Sequence, residues 1–145
     1  MSIDRLQRAG GLVDLRQRDV ERAQALSAEA TRAAQEAEAA AQRAQEAWQE
    51  ATQAVAGERL SSVDLADLNA WQRTLRQYAD HAVVQAGAAL AEAERAREAL
   101  VASRAELRKI EIWRDGLAAA VRAAAARTER LATDEVAARM TRRER

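Results

Sequence analysis

The chain has 145 residues, of which 48% are apolar and 39 are alanine, and its 23 basic residues balance its 23 acidic residues. Leucine, valine and isoleucine together contribute only 25 residues, so few large side chains are available for a globular core. With no cysteine and one histidine, cysteine-based zinc, iron–sulfur and thiol sites are excluded, and zero net charge argues against a dedicated nucleic-acid-binding protein. The remaining residues are mostly strong helix formers, which indicates an elongated all-α protein.

The first predicted element is a long helix with an apolar residue at alternating spacings of three and four. Thirteen of the fifteen positions in this row are apolar, which is typical of a coiled-coil seam. A flanking row formed by Leu12, Leu26 and four alanines is expected to widen the apolar stripe. The seam positions are Leu6, Ala9, Val13, Arg16, Val20, Ala23, Ser27, Ala30, Ala34, Ala37, Ala41, Ala44, Trp48, Ala51 and Val55.

A turn follows this helix. Gly57 suits a helix C-terminus, and the spacing of Ser61 and Asp64 predicts a capping box at the start of a second helix. A plain polar loop is the other interpretation, and it gives the same connection between the helices. We therefore expect one coiled-coil domain over residues 1–145, with helices over about 3–57 and 63–140 and a turn over about 58–62.

The second helix carries two seam rows, and seventeen of their twenty-two positions are apolar. The first row contains Leu65, Gln72, Ala79, Ala86, Ala93, Leu100, Leu107, Arg114, Val121, Thr128 and Glu135. The second row contains Leu68, Leu75, Ala82, Ala89, Ala96, Ser103, Ile110, Leu117, Ala124, Leu131 and Ala138. The first row becomes polar after Val121, so we expect the seam to weaken towards the C-terminus.

Two long helices joined by a short turn predict an antiparallel coiled-coil hairpin. If the turn centres near residue 60, the alanine-only stretches face each other, Val13 faces Leu107, and Trp48 lies opposite Trp71. An alanine seam buries little apolar area and therefore stabilises the pair less than a leucine seam would.

The second helix is predicted to be longer than the first and to overhang at its C-terminal end, beyond residue 118. Residues 119–145 contain seven arginines and four acidic residues. An unpaired amphipathic helix is typical of an interaction surface, and a frayed terminus is the alternative interpretation. The large apolar residues of this unpaired helix are Val121, Leu131, Val136 and Met140.

Two features of the first helix have more than one interpretation. Gly10-Gly11 marks either a close approach to Ile110 and Trp113 or a stable helix that begins only after Gly11, and we favour the later start. The charged stretch that contains Arg16, Arg18 and Arg22 is either a solvated face with intrahelical ion pairs or a contact surface.

No motif for catalysis or cofactor binding occurs in the sequence. His81 lies outside the seam, and the adjacent Asp134 and Glu135 point to different faces of a helix, so they cannot act as an acid–base pair. A two-helix hairpin also provides no deep pocket. We expect a protein that is not an enzyme and that has no cofactor, no metal and no membrane span.

Three segments of the chain resemble the FliJ/YscO family of type III secretion stalk proteins, and the resemblance covers nearly the whole sequence. The start, from Leu6 to Ala23, is similar to the family's leucine- and arginine-containing opening. The turn from Ser61 to Leu65, followed by Leu68 and Leu75, resembles its small-residue turn and the leucines after it. The end, from Leu107 to Arg139, resembles its basic second helix with a terminal acid-acid-apolar-alanine run. Gly10-Gly11, the single lysine and the lack of an aromatic residue near the start depart from the family pattern.

The resemblance implies a cytoplasmic, non-enzymatic component of a flagellar or injectisome export apparatus. Members of the family are understood to enter the pore of the hexameric export ATPase and to contact the export gate's cytoplasmic domain and export chaperones. The overhang would then contact the ATPase, and the outer face near Arg16, Arg18 and Arg22 would contact the gate. The implied ATPase contacts are Val121, Arg122, Arg127, Arg130, Leu131, Arg139 and Met140. The alternative function is a generic self-associating coiled-coil scaffold; a membrane-surface or nucleic-acid helix that uses the basic end is a weaker third.

Overall fold

The computed structural model describes residues 2–53 and 59–144 and contains two helices over these residues. Helix α1 covers Ser2–Gln53 and helix α2 covers Ser62–Arg143. They form the predicted all-α antiparallel hairpin, and the second helix is the longer one. The chain contains no proline, so the long runs of alanine, arginine and glutamate continue without a break. The predicted end of the first helix, with Val55 and Gly57, lies outside the described residues.

The start of α2 confirms the predicted cap at Ser61. The backbone N–H of Asp64 donates to the Ser61 hydroxyl oxygen over 3.2 Å, and that hydroxyl donates to the Asp64 carboxylate over 2.7 Å. The backbone N–H of Leu65 donates to the Ser61 carbonyl oxygen over 2.9 Å, which is the first helical hydrogen bond. Ser61 therefore satisfies a backbone donor that the first helical turn would otherwise leave unpaired.

Two compact units make up the chain, one formed by residues 22–101 and the other by residues 1–21 with residues 102–145. Within the unit of residues 22–101, the Gln72 side-chain amide donates to the Ala51 carbonyl oxygen over 3.2 Å. The Arg76 guanidinium lies over the Trp48 ring, 5.7 Å from its centroid. The prediction that Trp48 lies opposite Trp71 is wrong, because Trp71 stands one position before the seam residue Gln72 and is 53% exposed.

Side-chain burial follows the predicted seam of α1 closely. Every described position of that row is buried or half-buried except Arg16. The flanking row does not widen the stripe, because Leu12, Leu26, Ala33, Ala40 and Ala47 are all exposed. Its last member, Ala54, lies outside the described residues. A single pair of helices has only one seam, so the positions beside it stay in contact with water.

On α2 the predicted rows are buried or half-buried from Leu68 to Val121, and every described residue after Val121 is exposed. The overhang therefore begins three residues later than the sequence predicts. The buried residues of α2 are Ala79, Ala86, Ala93 and Leu100. Alanine dominates the described core, as the composition predicts.

Gly10 and Gly11 correspond to neither interpretation offered by the sequence. Helix α1 begins at Ser2 and passes through both glycines, so the stable helix does not start after Gly11. A Cβ atom added at either glycine would meet no heavy atom within 4 Å, so the glycines do not make room for Ile110 or Trp113. Packing gives no reason for glycine at either position.

Candidate interaction surface

The end of α2 is the part of the described chain in which no side chain is covered. We call residues 122–143 the C-terminal segment; all of them are helical and exposed. Its large apolar side chains are Leu131, Val136 and Met140, which are 70%, 53% and 64% exposed. Apolar groups gathered on an unpaired helix are typical of a surface that binds another protein.

These apolar side chains do not share one face of the helix. Five residues separate Leu131 from Val136, which places them about 140° apart around the helix axis, and Met140 lies almost opposite Leu131. A partner that covers all three must therefore contact the helix from more than one side. A flat docking surface would cover Leu131 or the Val136–Met140 pair, but not both.

Arginines interleave with these apolar groups. The predicted contact residues Arg122, Arg127 and Arg130 are exposed, and the Arg139 guanidinium lies 3.2 Å from a Glu135 carboxylate oxygen, four residues earlier. A shallow groove at the end of the segment is lined by Val136, Arg139, Met140, Arg142 and Arg143. The surface therefore combines apolar contact area with positive charge, which suits an acidic partner surface.

Three threonines make the segment less polar than its composition indicates. The hydroxyls of Thr128 and Thr133 donate to the carbonyl oxygens of Ala124 and Glu129, over 3.0 and 2.8 Å. The Thr141 hydroxyl donates to the Ala138 carbonyl oxygen over 3.0 Å. Each hydroxyl is satisfied within the helix, so its threonine needs no further polar partner.

The predicted contact residue Val121 lies at the boundary of the segment. It is half-buried, whereas the next residue, Arg122, is exposed. Val121 is therefore the last side chain of the seam rather than a member of the free surface.

The three arginines of the charged stretch in α1 are all exposed. Arg16 forms an ion pair with Asp19 over 3.4 Å and lies near enough to Glu106 to help lower the pKa of that carboxyl group. Arg16 is thus engaged both within its helix and towards α2.

Sequence reasoning missed an exposed aromatic pair at the start of α2. Trp71 and Tyr78 are 53% and 67% exposed and stand one heptad apart, so they lie on the same face of the helix. Two aromatic side chains at this spacing, each one position before a seam residue, were the available signal. Aromatic groups in such a position are typical of protein contact sites.

Features of other site classes are missing from residues 2–53 and 59–144. No group of three potential metal ligands occurs among them. None of the described helices combines the length and the apolar character needed to cross a membrane.

The pKa of Glu106 is lowered, mainly because its carboxylate accepts a hydrogen bond from the Lys109 ammonium group 2.9 Å away; both side chains are exposed. This ion pair lies on an open helix surface rather than in a cleft.

Comparison with known proteins identifies the family. The family model described as "Flagellar FliJ protein" matches residues 6–145, essentially the whole chain. Neither the curated proteins nor the solved structures contain a match. The predicted resemblance is therefore confirmed at the level of the family, and the match includes both the hairpin and the C-terminal segment.

Proposed function

The chain belongs to the flagellar FliJ protein family, which implies a component of the flagellar export apparatus, and we propose that it acts there as a non-enzymatic stalk and adaptor. In this proposal the protein works on the cytoplasmic side of the apparatus. Its C-terminal segment enters the ring of the hexameric export ATPase, while other parts of the hairpin contact the export gate and export chaperones.

The exposed C-terminal segment is the observation that supports this role most directly. It combines apolar side chains on opposite sides of one helix with a net excess of arginine. A ring surrounds a helix that enters it and can cover Leu131 and Met140 at the same time. The predicted ATPase contacts are Val121, Arg122, Arg127, Arg130, Leu131, Arg139 and Met140.

The contacts with the export gate are proposed at Arg16, Arg18 and Arg22 of α1. Because Arg16 already pairs with Asp19, we expect Arg18 to contribute more to binding than Arg16. The exposed pair Trp71 and Tyr78 is a separate surface in the other compact unit, and it suits a second protein of the apparatus.

The alternative function, a self-associating scaffold, also has an observation in its favour. An apolar groove along the hairpin is lined mainly by Leu26 and by alanines of both helices, among them Ala30, Ala33, Ala96 and Ala99. A second copy of the chain could bury this groove. Sedimentation equilibrium distinguishes the two functions, because a stable homodimer or tetramer in the absence of the ATPase would favour the scaffold.

Truncation tests the proposed role of the C-terminal segment. A chain that ends at Val121 keeps every buried residue of the hairpin, so we expect it to fold and to lose most of its affinity for the cognate export ATPase in a pull-down or calorimetric titration. Replacing Leu131 and Met140 together by alanine should weaken binding on the order of tenfold or more, as loss of interface anchors does.

A matched control replaces two apolar residues that are equally exposed but lie outside the segment, Val63→Ala with Val84→Ala. This control should bind as the unmodified chain does. Undiminished ATPase binding by the chain that ends at Val121 would overturn the assignment of the C-terminal segment.

A further inference from the structure

The glycine pair in α1 weakens the helix without any compensating contact. At both Gly10 and Gly11 an alanine Cβ would enter open space, so alanine would fit. A glycine inside a helix lowers the equilibrium constant for helix formation about fivefold relative to alanine, and two glycines in succession lower it about 30-fold. Residues 2–9, which we call the N-terminal strap, are therefore attached to the rest of α1 through its weakest point.

The strap lies at the end of the two-stranded part of its unit. Residues 1–21 and 102–145 form this compact unit, so in the antiparallel pair the start of α1 lies beside the last covered part of α2. Leu6 and Leu117 are both half-buried seam residues in this unit. Gly116, next to Leu117, is a third glycine at which a Cβ atom would meet no heavy atom within 4 Å.

Among residues 3–9, whose side chains the structure describes, two take part in the seam. Leu6 is half-buried and Ala9 is fully buried, while Ile3 is 61% exposed. Two residues after Gly11, Val13 is only 2% exposed, so its side chain is packed more completely in the seam than that of Leu6. The strap is thus held by one partly buried leucine and one methyl group.

The covered part of α2 ends in the same compact unit that contains the strap. Leu117 and Val121 are half-buried, and beyond Val121 every described side chain is exposed. Leu117 and Leu131 belong to the same seam row of α2. Removal of the strap would therefore extend the apolar surface of the C-terminal segment without a gap.

We propose that the N-terminal strap detaches from α2 at Gly10-Gly11 and uncovers Leu117 and Val121, so that the binding surface of the C-terminal segment lengthens when its partner engages. This inference rests on the proposed function, because it concerns how the same ATPase-binding surface is regulated. In the closed state the strap competes with the partner for Leu117 and Val121. The two glycines keep the cost of opening low.

Hydrogen exchange tests the detachment without any partner. In the unmodified chain, the backbone amides of residues 6–9 should exchange much faster than those of the α1 interior. Gly10→Ala with Gly11→Ala should slow their exchange about 30-fold. Gly87→Ala is the matched control, since that helical glycine is equally open but lies in the other compact unit, and it should leave strap exchange unchanged. Strap amides that exchange only on global unfolding would overturn the proposal.

A reversible crosslink tests whether detachment matters for binding. The chain has no cysteine, so Leu6→Cys with Leu117→Cys adds the only two thiols, and their oxidation locks the strap onto α2. We expect the oxidised form to bind the cognate export ATPase on the order of tenfold more weakly than the reduced form, because the strap can no longer detach from α2.

The control crosslink joins the helices away from the strap. The hydrogen bond between Gln72 and Ala51 sets the register of the two helices there. Ten residues before Ala51 in α1 and ten residues after Gln72 in α2, Ala41 and Ala82 lie at the same level. Ala41→Cys with Ala82→Cys should bind equally well in both redox states. Equal binding by the two forms of the strap crosslink would overturn the inference. If the unmodified chain does not bind the ATPase, the proposed function fails instead, and hydrogen exchange alone decides whether the strap detaches.

Discussion

Helix α2 contains two regions that have the same repeat but different surroundings. From Leu68 to Val121 its seam positions are buried or half-buried, and in the C-terminal segment Ala124, Leu131 and Ala138 continue the same row in full exposure. The change coincides with the end of the opposing helix rather than with any break in α2. A seam pattern therefore indicates which side of a helix could be covered, whereas the length of the partner helix decides how much of it is covered.

The two regions should respond differently to the loss of a large side chain, and this is the largest effect that we expect. Leu100 is 8% exposed and Leu131 is 70% exposed. Leu100→Ala should lower the free energy of unfolding by about 2–3 kcal/mol, because it removes one of the few large side chains of the core. Leu131→Ala should change it by no more than about 0.5 kcal/mol. Urea denaturation followed by circular dichroism measures both values.

Equal losses at Leu100 and Leu131 would contradict the comparison, because they would mean that the C-terminal segment is covered in solution. Measurement at several protein concentrations would show whether a second copy of the chain or another part of the same chain covers the C-terminal segment. A concentration-dependent loss would indicate a second copy of the chain, and a constant loss would indicate a contact within the chain.

Replacement of an exposed alanine by glycine should have a smaller effect that again depends on the region. Ala91 and Ala125 are both exposed positions of α2. Ala91→Gly should reduce the free energy of global unfolding by about 1 kcal/mol, because that part of the helix unfolds together with its partner. Ala125→Gly should leave the midpoint of global unfolding unchanged and speed hydrogen exchange in the C-terminal segment about fivefold. A shift of the global midpoint by Ala125→Gly would show that the two regions unfold as one.

Much of the fold could be predicted from the sequence because a coiled-coil seam depends on local periodicity. The spacing of Ala9, Val13 and Ala34 in α1 predicted burial that the structure confirms, and the spacing of Ser61 and Asp64 predicted a cap that forms. Such features depend on residues within one or two helical turns of each other. The overhang could be predicted for the same reason, since it follows from the lengths of the two helices.

The errors concern features that depend on both helices at once. Leu26 belongs to a repeat as regular as the seam, yet it is 61% exposed because no third helix covers that side of the hairpin. The register was misplaced at Trp48, where Arg76 rather than Trp71 lies over the ring. For Gly10-Gly11 the sequence indicated either a close contact or a helix start, and the structure gives an uninterrupted helix with open space instead.

The candidate site could be predicted only in part. The position of the free helix followed from the lengths of the two helices, but the engagement of Arg16 by Asp19 and its approach to Glu106 depend on side-chain geometry. The exposed face of Trp71 and Tyr78 was missed because Trp71 was placed opposite Trp48 and Tyr78 was not considered.

The smallest effect that we expect is electrostatic, and it arises where α1 lies beside α2. The pKa of Glu106 is lowered chiefly by the hydrogen bond from Lys109 and by the charge of that ammonium group, and more weakly by Arg16 of the opposing helix. Lys109→Met should therefore raise the pKa of Glu106 towards its ordinary value, and Arg16→Met should raise it by less. Side-chain carboxyl shifts recorded by NMR during an acid titration measure both changes.

The sign of the pH effect follows from the direction of the shift. Because folding lowers the pKa of Glu106, its ionised form contributes stability above the ordinary pKa, and that contribution is lost as the pH falls through the lowered value. The contribution is small because the ion pair is exposed and screened by water. A response to Lys109→Met without any response to Arg16→Met would mean that the helices are further apart here than the structure places them.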